Sequence, residues 1–341
     1  MNPAFPPRLS ATAERNLKDI LLHAVCHSGG RAAVVVYDSG CALAVLLSRA
    51  YRACLPEARF VAFDETSPDA VLEALKPLEA GDLVVLVQST SFRLEAFRLR
   101  VDLFVRGLKV IEHPHLTGME GAEAEAYVDS LAYEPGYYRG VGNALKARID
   151  RASRGVVESG GESLVFESGF ESAKLNVGDY SEMKNVGGQF PIGEVFTEAR
   201  NLEAVSGRVR IFAFGDSAFQ VKVPAEPITL AIEKGRVTAA EGSTAEFEAV
   251  LAAIRADETE VWVRELGFGL NRAFTRNRTV RAIGAYERMC GVHLSLGAKH
   301  AIYKKPAFTR SQARHHVDVF AITESVLLDG DVVYADGAWR A

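Results

Sequence analysis

The sequence predicts an α/β protein in two parts: an N-terminal Rossmann-like domain on a parallel sheet, then a C-terminal α+β domain whose mainly antiparallel sheet carries the candidate metal site. Three observations predict it. Up to about residue 155, short β-branched runs alternate with helix-length amphipathic segments, the texture of βαβ units. After Gly160-Gly161, short alternating segments separated by Gly, Pro and Asn replace them, as in hairpins and antiparallel sheets. Between residues 265 and 318, a carboxylate, an imidazole and a His-x-Asp pair stand in apolar segments punctuated by glycine.

In chain order, Leu17, Ile20, Leu21 and Ala24 recur at helical spacing and place a helix over 11–29. Ala32 to Tyr37 is a continuous apolar run suited to a strand buried on both faces. Asp38-Ser39-Gly40 then reads as a strand-to-helix turn, with Asp38 or Ser39 capping a helix over Cys41 to Leu55. It holds no G-x-G-x-x-G and no Walker-type lysine, so nothing marks it as a nucleotide loop. Strands at Phe60 to Phe63, Leu83 to Val87 and Lys109 to Glu112 alternate with helices at Pro68 to Leu78 and Glu95 to Gly107. Ser89-Thr90-Ser91 reads as a further cap. His113-Pro114-His115 reads as a loop with exposed imidazoles. Glu120 to Leu131 and Gly142 to Arg154 read as helices, with a turn at Pro135-Gly136. The boundary is placed at 158, giving domains 1–158 and 159–341. In the second domain the strand-like segments are Ser163 to Glu167, Arg208 to Phe212, Phe219 to Val223, Ile228 to Glu233 and Arg236 to Ala240. Glu233-Lys234-Gly235-Arg236 is a hairpin turn, and Thr244 to Arg255 is an amphipathic helix.

Composition narrows the class. Of 341 residues, 48% are hydrophobic, enough for a substantial core, and the net charge is −5 with Lys and Arg dispersed, which argues against nucleic acid as a partner. No apolar run reaches the roughly 18 residues that span a membrane, and Met1 to Arg15 hold no signal-peptide core. Cys26, Cys41, Cys54 and Cys290 show no CxxC spacing and read as buried free thiols of a reducing, cytoplasmic compartment.

The ionisable residues carry the functional argument. His316 and Asp318 lie two apart, so on a strand both side chains share one face and form a two-ligand unit. His315 must then face the other way. Glu265 follows Val261-Trp262-Val263-Arg264, His293 sits between Val292 and Leu294, and Glu194 lies in Pro191-Ile192-Gly193-Glu194-Val195-Phe196-Thr197. A charged group among apolar neighbours is costly unless paired. Such a set can hold one or two divalent ions. Each residue taken singly also suits an ordinary hydrogen-bonded structural role.

The neighbourhoods resemble the M29 (aminopeptidase T/aminopeptidase S) metallopeptidase family. Gly193-Glu194-Val195-Phe196-Thr197, the hairpin segment 227–237, Glu265-Leu266-Gly267-Phe268-Gly269-Leu270-Asn271, Val292-His293-Leu294-Ser295-Leu296-Gly297 and His316-Val317-Asp318 follow the order of that family's blocks. The resemblance runs from about residue 160 to 320; before residue 155 only the α/β pattern agrees. It implies two divalent ions (Zn, Co or Mn) held by Glu194, Glu265, His293, His316 and Asp318, with one carboxylate bridging and Glu194 and Glu265 at the chemistry. It implies a peptide substrate and a homodimer. Two features depart from the family. Seven residues after His293 the family has tyrosine, whereas this chain has His300, which can ligate or donate a hydrogen bond; Tyr303 is out of register. The chain is also shorter.

Two other readings follow. The shortened fold can bind a peptide without turnover, for example a precursor peptide in natural-product biosynthesis, with no metal. The related 2,5-dihydroxypyridine dioxygenases, of comparable length, use one Fe(II) held by two histidines and an aspartate. His316 and Asp318 suit that pattern, but Glu265 stands where their first histidine falls.

Overall fold

Runs of Val, Leu and Ile too short for helices and apolar at every position are stable only when covered on both faces. The first part of the chain resolves accordingly. The computed structural model describes residues 5–94, 97–300, 302–306, 308–309 and 313–341. In it, β1 (Ala33–Tyr37), β2 (Arg59–Ala62), β3 (Leu83–Val87), β4 (Lys109–His113) and β5 (Gly187–Gln189) form a sheet ordered β5-β4-β3-β1-β2. Every pairing in it is parallel. The chain divides into two units, Met1–Gly136 with Gly178–Ile192, and Tyr137–Val177 with Gly193–Ala341.

In the first unit, α1 (Pro7–Asp19) begins earlier than the sequence periodicity suggests, with Pro7 in its first turn, and runs on as a π-helical turn at Ile20–Ala24. The cap of α2 (Ala42–Cys54) is neither Asp38 nor Ser39 but Cys41, whose Sγ accepts from the Ala44 amide at 3.4 Å. Asp38 instead accepts from the Gly40 amide at 3.0 Å, the Ser89 amide at 2.8 Å and the Ser89 hydroxyl, so it ties the ends of β1 and β3 together. Pro135 and Gly136 do not turn the chain; they open the helix Pro135–Arg151, a position where proline loses no hydrogen bond. Glu95, the expected start of the helix at Leu99–Val105, lies outside the described residues.

His113 also differs from expectation: it is wholly buried at the end of β4, and only His115 is exposed. A buried imidazole must be neutral and fully hydrogen-bonded, and this one is. The Tyr127 hydroxyl donates to the Phe190 carbonyl at 3.1 Å, so it accepts from His113 Nδ1–H at 3.0 Å. His113 Nε2 then accepts from the Tyr51 hydroxyl at 2.8 Å. Burial holds the imidazole pKa down at about 3. The cysteines are free as expected, but none is buried: Cys26 is exposed and the other three are partly exposed.

Among the described residues the second unit carries a 14-stranded antiparallel sheet. Its centre holds β6 (Glu194–Glu198), β7 (Val205–Gly215), β8 (Val263–Gly269), β9 (Gly291–Leu296) and β10 (Val317–Ala321), ordered β7-β10-β9-β8-β6. Strands β8 and β9 are buried at every residue. The hairpin Ile228–Glu233/Arg236–Glu241 turns through Lys234 and Gly235, both with positive φ. Thr244 caps the helix Ala245–Glu258 by accepting from the Phe247 amide at 3.2 Å. Among the described residues no helix is long and apolar enough to cross a membrane.

The His113 chain has a measurable consequence. Its folded pKa of about 3 lies below the ordinary 6.5, so the unfolded chain binds the extra proton. Its contribution is complete above pH 6.5 and lost as pH falls toward 3, by about 1.4 kcal/mol per pH unit. Replacing His113 with Gln removes that slope. The stability difference between wild type and H113Q, from denaturant unfolding, is therefore expected to shrink by about 2 kcal/mol between pH 7 and pH 5.

Candidate metal centre

Antiparallel pairing puts directly opposed residues on the same face of the sheet, and alternate residues of one strand share that face. Glu194 on β6 opposes Gly269 on β8, which opposes Gly291 on β9; Gly267 opposes His293, which opposes Phe320 on β10; Ser295 opposes Asp318. Glu194, Gly267, His293 and Asp318 therefore face the same side. His316 sits one residue before β10, two positions from Asp318, and its Nε2 lies 3.2 Å from Asp318 Oδ1. The one-face expectation for the His-x-Asp pair holds. His315 points away, to Asp257 at 2.7 Å.

Glu265 reaches the cluster through an irregularity. The register of β8 on β9 shifts between Val263 and Leu266, so Arg264 and Glu265 together oppose Ser295. A bulge of this kind re-aims a side chain and leaves an amide out of the ladder. The Ser295 hydroxyl accepts from the Glu265 amide at 3.0 Å. The Glu265 carboxylate then lies with Oε1 3.4 Å from His293 Nε2 and Oε2 2.8 Å from His300 Nε2. His293 Nε2 is also 3.3 Å from Glu194 Oε1. Its ring lies against Gly267, where an added Cβ would fall 2.0 Å from Cε1 and 2.1 Å from Nε2. Only glycine leaves that space.

All five sequence-predicted residues meet. Their ligand atoms form two groups, Glu194–Glu265–His293 and Glu265–His316–Asp318, each with its atoms within 4.8 Å of one another, and Glu265 belongs to both. Three further residues at the site carry no signal in the sequence. Arg288 NH1 donates to Glu194 Oε2 at 2.8 Å and lies 2.5 Å from Glu287 Oε1, which leaves Glu194 Oε1 turned toward His293. Both residues follow the short helix Ile283–Tyr286 in a segment with no periodic pattern. Arg264 was adjacent to the motif yet unread. Its buried guanidinium donates to Glu198 at 2.5 Å, to the Tyr303 carbonyl at 2.9 Å and to the Ala298 carbonyl.

The residues suit a divalent cation on three counts. Carboxylate and imidazole donors are those that zinc, manganese and cobalt take. His316 Nδ1 donates to the Lys299 carbonyl at 3.2 Å, which turns Nε2 into the cluster, the arrangement usual for a ligating histidine. Asp318 Oδ1 is buried and, among the described residues, has only the His316 Nε2 contact at 3.2 Å beside it and no well-formed hydrogen bond. Electrostatics agree. Burial opposes the charge on His316, but Asp318, then Glu265 and Glu287, raise its pKa to about 10. Burial likewise opposes the charge on His293, and Glu194 and Glu265 raise it well above the ordinary value. Burial raises Glu287 to about 8, with Arg288 opposing and Glu194 and Asp318 adding to the rise. Protons here supply the positive charge that a cation would bring.

Two solved structures share this fold. 2,5-Dihydroxypyridine dioxygenase from Pseudomonas putida KT2440 superposes with a TM-score of 0.62 at 17% identity over 99% of each chain. Wild-type AmpT from Thermus thermophilus gives 0.61 at 14% identity over 98% of this chain and 100% of its own. No protein-family model matches the sequence, and no curated protein matches it.

The Gly267 contact makes the geometry testable. Gly267→Ala must displace the His293 ring and is expected to cost about 1–3 kcal/mol in unfolding free energy. It should also weaken zinc binding at least 10-fold by isothermal titration. Gly29→Ala, whose Cβ meets nothing within 4 Å, should change neither.

Proposed function

We propose that the protein is a divalent-metal-dependent hydrolase of peptides, of aminopeptidase type, working with two ions that share Glu265. The observation that carries this reading is the pair of overlapping donor groups with one carboxylate common to both. Bound divalent ions supply Lewis acidity and a water of lowered pKa, the requirements for attack on a peptide carbonyl.

The chain's own residues provide placement and charge. Glu194 and Glu265 bring negative charge to the first group, each held by a donor on its far oxygen, Arg288 for one and His300 for the other. His316 is turned inward by the Lys299 carbonyl, and His293 by the space at Gly267. Glu287 lies beside the cluster in an ion pair with Arg288, and with the site metal-free burial raises its carboxyl pKa to about 8 against the pull of Arg288.

The backbone is about as close to the dioxygenase as to AmpT, so the donor set must distinguish the readings. A mononuclear Fe(II) oxygenase site takes two histidines and one carboxylate. Each group here offers one histidine and two carboxylates, which favours the two-ion hydrolytic reading. Peptide binding without turnover gives no use to five converging ligands.

Metal analysis after reconstitution, coupled to hydrolysis of aminoacyl-4-nitroanilides, tests this reading. The expected result is two equivalents of zinc, cobalt or manganese and turnover abolished by a chelator. One iron with dioxygen consumption, or peptide binding without metal, would overturn it. His316→Ala should lower metal affinity by more than the roughly 10–100-fold that outer-shell losses cost. Affinity should also rise with pH. The raised pKa of His316 stabilises the metal-free fold fully below pH 6.5, an advantage lost as pH rises through about 10, and a cation must displace that proton.

A further inference from the structure

Resting on the two-ion reading, we infer that His300 is a positioning residue for the shared carboxylate and not a third histidine ligand. The inference comes from its hydrogen bonds. The amides of Ile302 and Tyr303 both donate to His300 Nδ1, at 3.1 and 3.2 Å. Backbone N–H groups only donate, so Nδ1 must present its lone pair and carry no proton. The ring proton is then on Nε2, which lies 2.8 Å from Glu265 Oε2 and donates to it. A ring nitrogen bearing hydrogen has no in-plane lone pair left for a metal. To ligate, His300 would have to move its proton to Nδ1, against two amides.

The loop that carries His300 is fixed from several sides. It leaves β9 at Gly297, whose positive φ and close approach to the His315 carbonyl (2.4 Å from an added Cβ) admit no side chain. Arg264, anchored by Glu198, holds the carbonyls of Ala298 and Tyr303 on either side of His300. The Lys299 amide donates to the His315 carbonyl at 3.0 Å. Consecutive residues of this loop therefore act on both donor groups. Lys299 turns His316 through its carbonyl, and His300 fixes Glu265 through Nε2–H. With Oε2 engaged by His300, Oε1 is the oxygen presented to His293. Tyr303 does not take over any such role, since its hydroxyl donates to the Ser172 and Phe196 carbonyls at 2.7 and 3.3 Å.

Two measurements test this. In ¹⁵N-labelled, metal-free wild-type protein near neutral pH, long-range ¹H–¹⁵N correlation should show His300 as the neutral Nε2–H form. The signal is identified by its absence from H300Q. An Nδ1–H form or an imidazolium would overturn the inference. In zinc titrations, H300Q and H300F should each bind as many ions as wild type. H300F should bind about 10–100-fold more weakly, and H300Q less so because its amide can still donate. The visible spectrum of cobalt-loaded H300Q should keep the wild-type coordination number. Loss of one ion in both variants, or a lowered coordination number, would show ligation and overturn the inference. A wild type that binds no ion would defeat the two-ion reading alone, and the imidazole spectrum would still decide the hydrogen-bond assignment.

Discussion

Buried charge has to be matched, and that constraint organises the second unit. Glu194, Glu265, Asp318 and Glu287 gather beside one sheet face, with Arg288, a permanent cation, placed among them. Left alone, such a cluster recruits protons, which is why His293 and His316 are driven toward their charged forms and Glu287 toward its neutral one. Divalent ions meet the same demand with fixed charge and geometry. The surrounding structure serves that arrangement: the bulge at Arg264–Glu265, the missing side chain at Gly267 and the pinned loop after β9 each place one donor.

The fold and the chemistry carry separate information. The same backbone supports a dioxygenase in one solved structure and AmpT in another, at nearly equal similarity. A fold hosts many functions, and the site has to decide between them. Here the deciding features are which positions hold carboxylate and which hold imidazole. Glu265 is the carboxylate common to both donor groups, and His300 adds a hydrogen-bond donor to it.

Much of this was legible in the sequence. Period-two patterning placed His316 and Asp318 on one face, and apolar flanks marked His293 and Glu265 as ionisable groups out of place. Strand-helix alternation announced the parallel sheet. What escaped had no local signature. β5 is three residues, two of them glycine; at Gly187 an added Cβ would fall 2.0 Å from the Val110 carbonyl oxygen, so the strand is specified by close approach and not by hydrophobicity. Arg288 and Glu287 lie in an aperiodic segment, and only tertiary structure brings them to Glu194. His113 looked like a loop residue because its two tyrosine partners are 62 and 14 positions away. The role of His300 depended on amides two and three residues on, which no residue type reveals.

Anomalous diffraction from crystals grown with manganese would test the central claim most directly. Two anomalous peaks are expected roughly 3.5–4 Å apart on either side of Glu265, one beside Glu194 and His293 and the other beside His316 and Asp318. A single peak, or peaks away from Glu265, would contradict it.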